Sequence, residues 1–173
     1  KHQSFFDAIL IVSAVPKPKF IMKNSLKYAP VLGWFGLRIG CICVERGKRT
    51  QAIKSMVAAV NSGNSPAGQL IIYPQGTRIA PGASAPYKIG TAVLYQETGQ
   101  TCIPAATNVG VFWPKYGILR QPGLAVNEFL PAIQPGLSNE LFMHRLEEVI
   151  EQSSNALLEE AATDGFYPVG QDT

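Results

Sequence analysis

The chain has 173 residues, of which 46% are hydrophobic and 16% charged, with a formal net charge of +3. That length suits one domain with a sizeable core, and the composition excludes a chain disordered throughout. The charge is lopsided: the sequence through Lys88 carries +10 and the remainder −7, so an anionic partner is expected on one face.

The elements alternate along the chain. Residues 5–15 are apolar but interrupted by Asp7 and Ser13. They fall short of the roughly 20 apolar residues a membrane span needs, so any membrane contact is expected to be peripheral. Residues 19–23 (KFIMK) predict a strand, and 25–37 an apolar helix interrupted by Pro30 and Gly33. A β-rich run at 41–45 precedes a helix at 50–60, with Gly63 as its stop signal. Residues 69–73 (QLIIY) predict a strand, 89–97 a helix closed by Gly99, and 101–109 and 124–129 two further strand regions. A long amphipathic helix is expected over 138–161, opening on Ser-Asn-Glu. This alternation predicts an α/β fold with a mixed, largely parallel central sheet flanked by helices. We expect a single domain over 1–173, with disorder from about 163 onward. Because the chain starts at Lys1, an N-terminal membrane-docking segment is expected to precede it.

Three cysteines, Cys41, Cys43 and Cys102, are too few and too oddly spaced for a disulfide framework or a zinc site, and read as buried small hydrophobes. No Gly-x-Ser-x-Gly elbow supplies a serine nucleophile. His144, among charged neighbours, reads as a surface residue. Trp34 and Phe35 read as core, with an acyl groove as the alternative.

Three segments can carry chemistry. Tyr73-Pro-Gln-Gly-Thr-Arg78 leaves a strand through a Pro/Gly turn and presents a hydroxyl and a guanidinium, a pairing suited to phosphate. Glu45-Arg46-Gly47-Lys48-Arg49 leaves another strand, with Arg46 nearest the exit. His2 can act as a general base, with Asp7 fixing its tautomer. Five residues on a regular helix turn through about 140° beyond a full circle. The pair can therefore meet only if His2 lies just before the helix and Asp7 in its first turns.

In this order the segments resemble the glycerolipid acyltransferase family, typified by the bacterial enzymes that make phosphatidic acid from lysophosphatidic acid. That family carries His-x4-Asp, an apolar strand ending in Arg, Phe-Pro-Glu-Gly-Thr-Arg, and an apolar-Pro strand. The counterparts here are His2 and Asp7, Arg46, Tyr73 to Arg78, and Cys102-Ile-Pro-Ala105. Lys88-Ile-Gly90 also matches a Lys-x-Gly of the family. The likeness covers about residues 1–111. Gln75 stands where the family has Glu, and Lys1 where it often has Asn.

The resemblance implies transfer of a fatty acyl group from a thioester to the sn-2 hydroxyl of lysophosphatidic acid. His2 would be the base and Asp7 its orienting partner, with no enzyme nucleophile. Arg46, Gln75, Gly76, Thr77, Arg78 and Lys88 would bind the acceptor. No metal or cofactor is implied, because the thioester of coenzyme A or acyl carrier protein brings its own activation. Partners would be that donor, lysophosphatidic acid and an anionic bilayer, at the cytoplasmic face of a bacterial inner membrane. Nucleic acid is not expected, since no motif or interleaved aromatics accompany the basic half. Gln75 keeps a second acceptor open, such as a lyso-ornithine lipid. A lipid-binding module without turnover is the reading from another class.

Overall fold

The computed structural model describes residues 1–44, 53–54, 57–58, 68–116 and 118–168, Leu32 by its backbone alone. Helix α1, Phe5–Ala14, leads into the central strand β1, Pro18–Lys23. β2, Ile42–Val44, and β3, Gln69–Ile71, flank β1 in the order β2-β1-β3, both parallel to it. The register pairs Met22 with Cys43 and Lys19 with Leu70. Parallel neighbours need crossover connections, and the first of these carries helix α2, Leu32–Arg38. Helix α3, Gly90–Thr98, is closed by Gly99 in the left-handed region at φ 58°, as its position predicts. An antiparallel pair follows: β4, Ala105–Thr107, and β5, Asn127–Phe129, with the short helix α4, Val109–Phe112, between them. Helix α5, Asn139–Thr163, comes last, with the Ser138 hydroxyl accepting from the Leu141 N–H. A parallel three-stranded sheet flanked by helices is therefore present, with the antiparallel pair forming a sheet of its own among the described residues.

Three expectations need correction. The helix foreseen over 25–37 is two pieces, a 3-10 turn at Asn24–Tyr28 and then α2. Pro30 lies between them and cannot donate to a continuous ladder. Gly33 permits the fold-back, since a Cβ there would lie 2.2 Å from the Lys27 carbonyl oxygen. The strand foreseen over 101–109 keeps three residues. Its end is fixed by the buried Asn108, whose Oδ1 accepts from Val126 N at 2.7 Å and whose amide donates towards Leu157 O. The cysteines are half-buried rather than buried, and all three are free. Burial still pushes the Cys102 thiol up to about 11. Of the helix foreseen over 50–60, residues 53–54 and 57–58 are helical, and the rest lies outside the described residues.

The core is built by α5. Phe142, Leu146, Ile150, Ser154, Leu157 and Ala161 form its buried stripe, at a spacing of three to four residues. That stripe packs on α3 and β4, and Tyr95 stacks on Phe142 with ring centroids 3.9 Å apart. Beyond α5, Phe166 seats edge-on against Phe112, within the region where disorder was expected.

This core anchors residues 1–4. The Lys1 backbone N donates to Ala105 O at 2.7 Å, and Gly110 N donates to Gln3 Oε1 at 2.9 Å. The buried Lys1 ammonium pairs with Glu151 on α5 at 2.6 Å, and Tyr87 donates to the other oxygen of Glu151 at 2.9 Å. Burial first, and the Glu151 charge second, keep the Tyr87 hydroxyl protonated as a donor. Removing one partner of a buried pair strands the other charge. Glu151→Leu should therefore lower unfolding free energy by about 3 kcal/mol in urea titration; a loss below about 1 kcal/mol would show the pair is not an anchor.

Candidate active site

The N-terminus of α1 assembles the catalytic candidates. Ser4 is the N-cap, its hydroxyl accepting from Phe6 N at 3.2 Å, and Asp7 sits three residues on, completing a capping box. Asp7 is fully buried. Its Oδ2 accepts from Gln3 N at 2.7 Å and Ser4 N at 2.8 Å. Its Oδ1 accepts from His2 Nδ1 at 2.7 Å and from the Tyr73 hydroxyl at 3.3 Å. The separation problem is solved as the sequence required: His2 precedes the cap, so it folds back onto the first turn. Because the Asp7 carboxylate only accepts, the Nδ1 of His2 carries a proton, and in the neutral ring the lone pair is then on Nε2.

The segment after β3 supplies the second wall. Ile79 N donates to His2 O at 2.8 Å, tying this segment to the first. The Tyr73 ring stacks on the imidazole with centroids 3.9 Å apart and planes at 17°. Gly76 adopts φ 68°, and a Cβ there would lie 2.5 Å from Lys88 Nζ. The glycine thus serves both the turn and the approach of the ammonium. Thr77 is exposed, and Arg78 Nη1 donates to Lys115 O at 3.2 Å.

These groups share one cavity of about 1110 Å³. His2, Gly76, Thr77, Arg78, Lys88 and Lys115 line it together with apolar side chains from α1, β1 and α2, among them Val12, Phe20 and Phe35. No acidic side chain lines it among the described residues.

The foreseen residues do not all meet. Gln75 is 3% exposed and does not line the cavity, and among the described residues neither of its side-chain polar atoms has a hydrogen-bond partner. Arg46 lies outside the described residues. Trp34 and Phe35 are 62% and 51% exposed rather than core; Phe35 lines the cavity, while Trp34 stacks beneath Arg38. Lys19 on β1, one of the lysines of the basic half, is buried. His144 is exposed on α5. Sequence reasoning missed Lys115, which follows the recognisable segments and matches none of them. It also missed the Tyr73 hydroxyl, since Tyr73 was read only as the end of a strand and the first residue of its segment.

A buried carboxylate thus holds an imidazole on the wall of a cavity lined by both cations and apolar side chains. The Acyltransferase family model matches residues 1–108, so the chain belongs to the acyltransferase family. It is 28% identical over 123 residues to the 1-acyl-sn-glycerol-3-phosphate acyltransferase of Pseudomonas aeruginosa, covering 71% of this chain and 48% of that protein. Against the Saccharomyces cerevisiae enzyme of the same name it is 27% identical over 177 residues, covering 99% of this chain and 57% of the relative. The chain thus spans about half the length of these relatives. The crystal structure of the 1-acyl-sn-glycerophosphate (LPA) acyltransferase PlsC from Thermotoga maritima superposes with a TM-score of 0.76. It is 23% identical, over 91% of this chain and 64% of that one, a likeness that shows the fold.

Gly76→Ala should displace the Lys88 ammonium and strain the turn. We expect phosphate-bearing ligands to bind roughly tenfold more weakly, about the 1.4 kcal/mol of one charge-assisted contact. Calorimetric titration with glycerol 3-phosphate or a lysophosphatidate micelle checks this, and unchanged affinity would remove Lys88 from the ligand set.

Proposed function

We propose that this chain is the catalytic part of an enzyme that transfers a fatty acyl group from an acyl thioester to the sn-2 hydroxyl of lysophosphatidic acid, forming phosphatidic acid. The observation that carries the reading is the His2–Asp7 pair, with Asp7 buried and His2 on the wall of a cavity lined by both cations and apolar side chains. An acceptor with a phosphate and a reactant with an acyl chain need both kinds of lining. The relatives named for this reaction support it.

Nε2 of His2 takes the hydroxyl proton as the oxygen attacks the thioester carbonyl. Asp7 stabilises the imidazolium in place. The tetrahedral intermediate expels the thiolate, which recovers the proton from His2. Thr77, Arg78, Lys88 and Lys115 hold the phosphate, joined by Arg46 on the strength of the family pattern. Coenzyme A or acyl carrier protein brings the acyl group as co-substrate, and no step calls on a cofactor. Gln75 in place of Glu favours testing a panel of lysolipids beside lysophosphatidic acid. With palmitoyl thioesters and lysophosphatidic acid in mixed micelles, the longest form of the protein should make phosphatidic acid, and His2→Ala should lose 10²- to 10⁴-fold, roughly the worth of a general base. Product from neither lysophosphatidic acid nor any other lysolipid would overturn the reading.

The partner surface follows from the same cavity. Phe5, Ile9, Leu26, Phe35 and Tyr116 are both exposed and part of its lining, with Lys23, Lys88 and Lys115 among them. No described helix is long and apolar enough to cross a membrane. We place this apolar, cationic rim on an anionic bilayer, at the cytoplasmic face of a bacterial inner membrane, so that acyl chains enter from lipid. Replacing Phe35 and Tyr116 together by Ser should cut partitioning onto phosphatidylglycerol vesicles roughly tenfold, at about 25 cal/mol per Å² of lost apolar contact. Sedimentation unchanged in the pair would move the docking face elsewhere.

A further inference from the structure

We propose that Tyr73 is the positioning residue of the His2–Asp7 pair: its ring holds the imidazole plane, and its hydroxyl shares the Asp7 carboxylate with His2. The proposal rests on the acyl-transfer reading for its kinetic test. The related family pattern has Phe at this place, which would supply a ring but no donor.

Two contacts argue for it. The rings lie nearly parallel at 3.9 Å, close enough to restrict rotation of the imidazole about its bond to the chain. The hydroxyl reaches the same carboxylate oxygen that His2 uses, at 3.3 Å against 2.7 Å. Burial first, then the Asp7 charge, keeps that hydroxyl protonated, so it is a donor at any working pH. A second donor on Oδ1 draws off part of the charge that would otherwise favour the imidazolium. The effect opposes protonation of His2 and keeps the base available. The groups lining the cavity with His2 include Tyr73 and Arg78 after β3 and the cations Lys23, Lys88 and Lys115, with no acid among the described residues. Asp7, buried in α1, is the carboxylate bonded to the ring.

The two functions separate by substitution. Tyr73→Leu removes ring and hydroxyl, and should lower kcat roughly 30-fold with KM within about twofold, as expected for lost orientation rather than lost binding. Tyr73→Phe restores the ring and should recover most of kcat. Its acid limb of kcat/KM should move up by about 0.3 of a pH unit, a roughly twofold loss on that limb. Full kcat in Tyr73→Leu, or an acid limb in Tyr73→Phe superimposable on wild type, overturns the proposal. If Tyr73→Leu does not fold, Tyr73→Phe decides alone. A second readout needs no turnover: the Nδ1 proton of His2, identified by its loss in His2→Gln, should resonate far downfield. It should move further downfield in Tyr73→Phe as the Asp7 bond strengthens. An unmoved resonance overturns the proposal even where wild type shows no acyl transfer, so a failed enzyme reading is told apart from a failed Tyr73.

Discussion

Everything at this site hangs on the carboxylate of Asp7. It closes the first turn of α1 by accepting from Gln3 N and Ser4 N, and with its other oxygen it holds His2. The same group thus starts a helix and fixes an imidazole. A free carboxylate on a surface would be solvated, and the imidazole would be loose. Here the carboxylate is buried, all its lone pairs are spoken for, and the tautomer of His2 follows. The arrangement needs an extended segment before the helix, because only there can a residue five positions back reach the third residue of the first turn.

That extended segment has little hold of its own. Three contacts secure it from the opposite side: Lys1 to Ala105, Gln3 to Gly110, and the Lys1 ammonium to Glu151. Each reaches over a hundred residues along the chain, to β4, α4 and α5. The late, acidic half of the sequence therefore acts on the site mechanically. It is the frame into which residues 1–4 are clamped, while the basic half supplies Lys23, Arg78 and Lys88 of the cavity lining, joined by Lys115 from the later half. The charge asymmetry that first suggested an anionic partner is divided accordingly: Lys23, Arg78 and Lys88 line the cavity, whereas Lys19 and Lys1 are spent on the interior.

Much of this was legible in the sequence. Periodicity found every described strand and the long final helix, because β-branched runs and a stripe at three- to four-residue spacing are local signals. Helix geometry left the His2–Asp7 contact one way to form, and the family resemblance gave the reason to expect it. The breaks were harder. Pro30 and Gly33 marked the interruption of 25–37, but that the chain folds back there depends on the Lys27 carbonyl, a tertiary fact. The shortening of 101–109 depends on Asn108 reaching two distant elements. Trp34 and Phe35 were assigned to the core on residue type, whereas they stand exposed at the cavity's edge. A rim that meets lipid breaks the rule that large apolar groups go inside. Lys115 and the Tyr73 hydroxyl carried no signal, because their meaning lies in what the fold sets beside them.

The central claim is that acyl transfer is direct, with the acceptor hydroxyl activated by His2 and no acyl group ever held by the protein. Cys41 lines the cavity, but burial pushes its thiol up, away from the thiolate a nucleophile needs. Rapid mixing with a radiolabelled acyl thioester, quenched before and after addition of lysophosphatidic acid, tests the claim most directly. The account predicts no labelled protein and no burst of free thiol without acceptor, then label passing to the lipid once it is added. Stoichiometric acyl-protein formed before the acceptor arrives would contradict it.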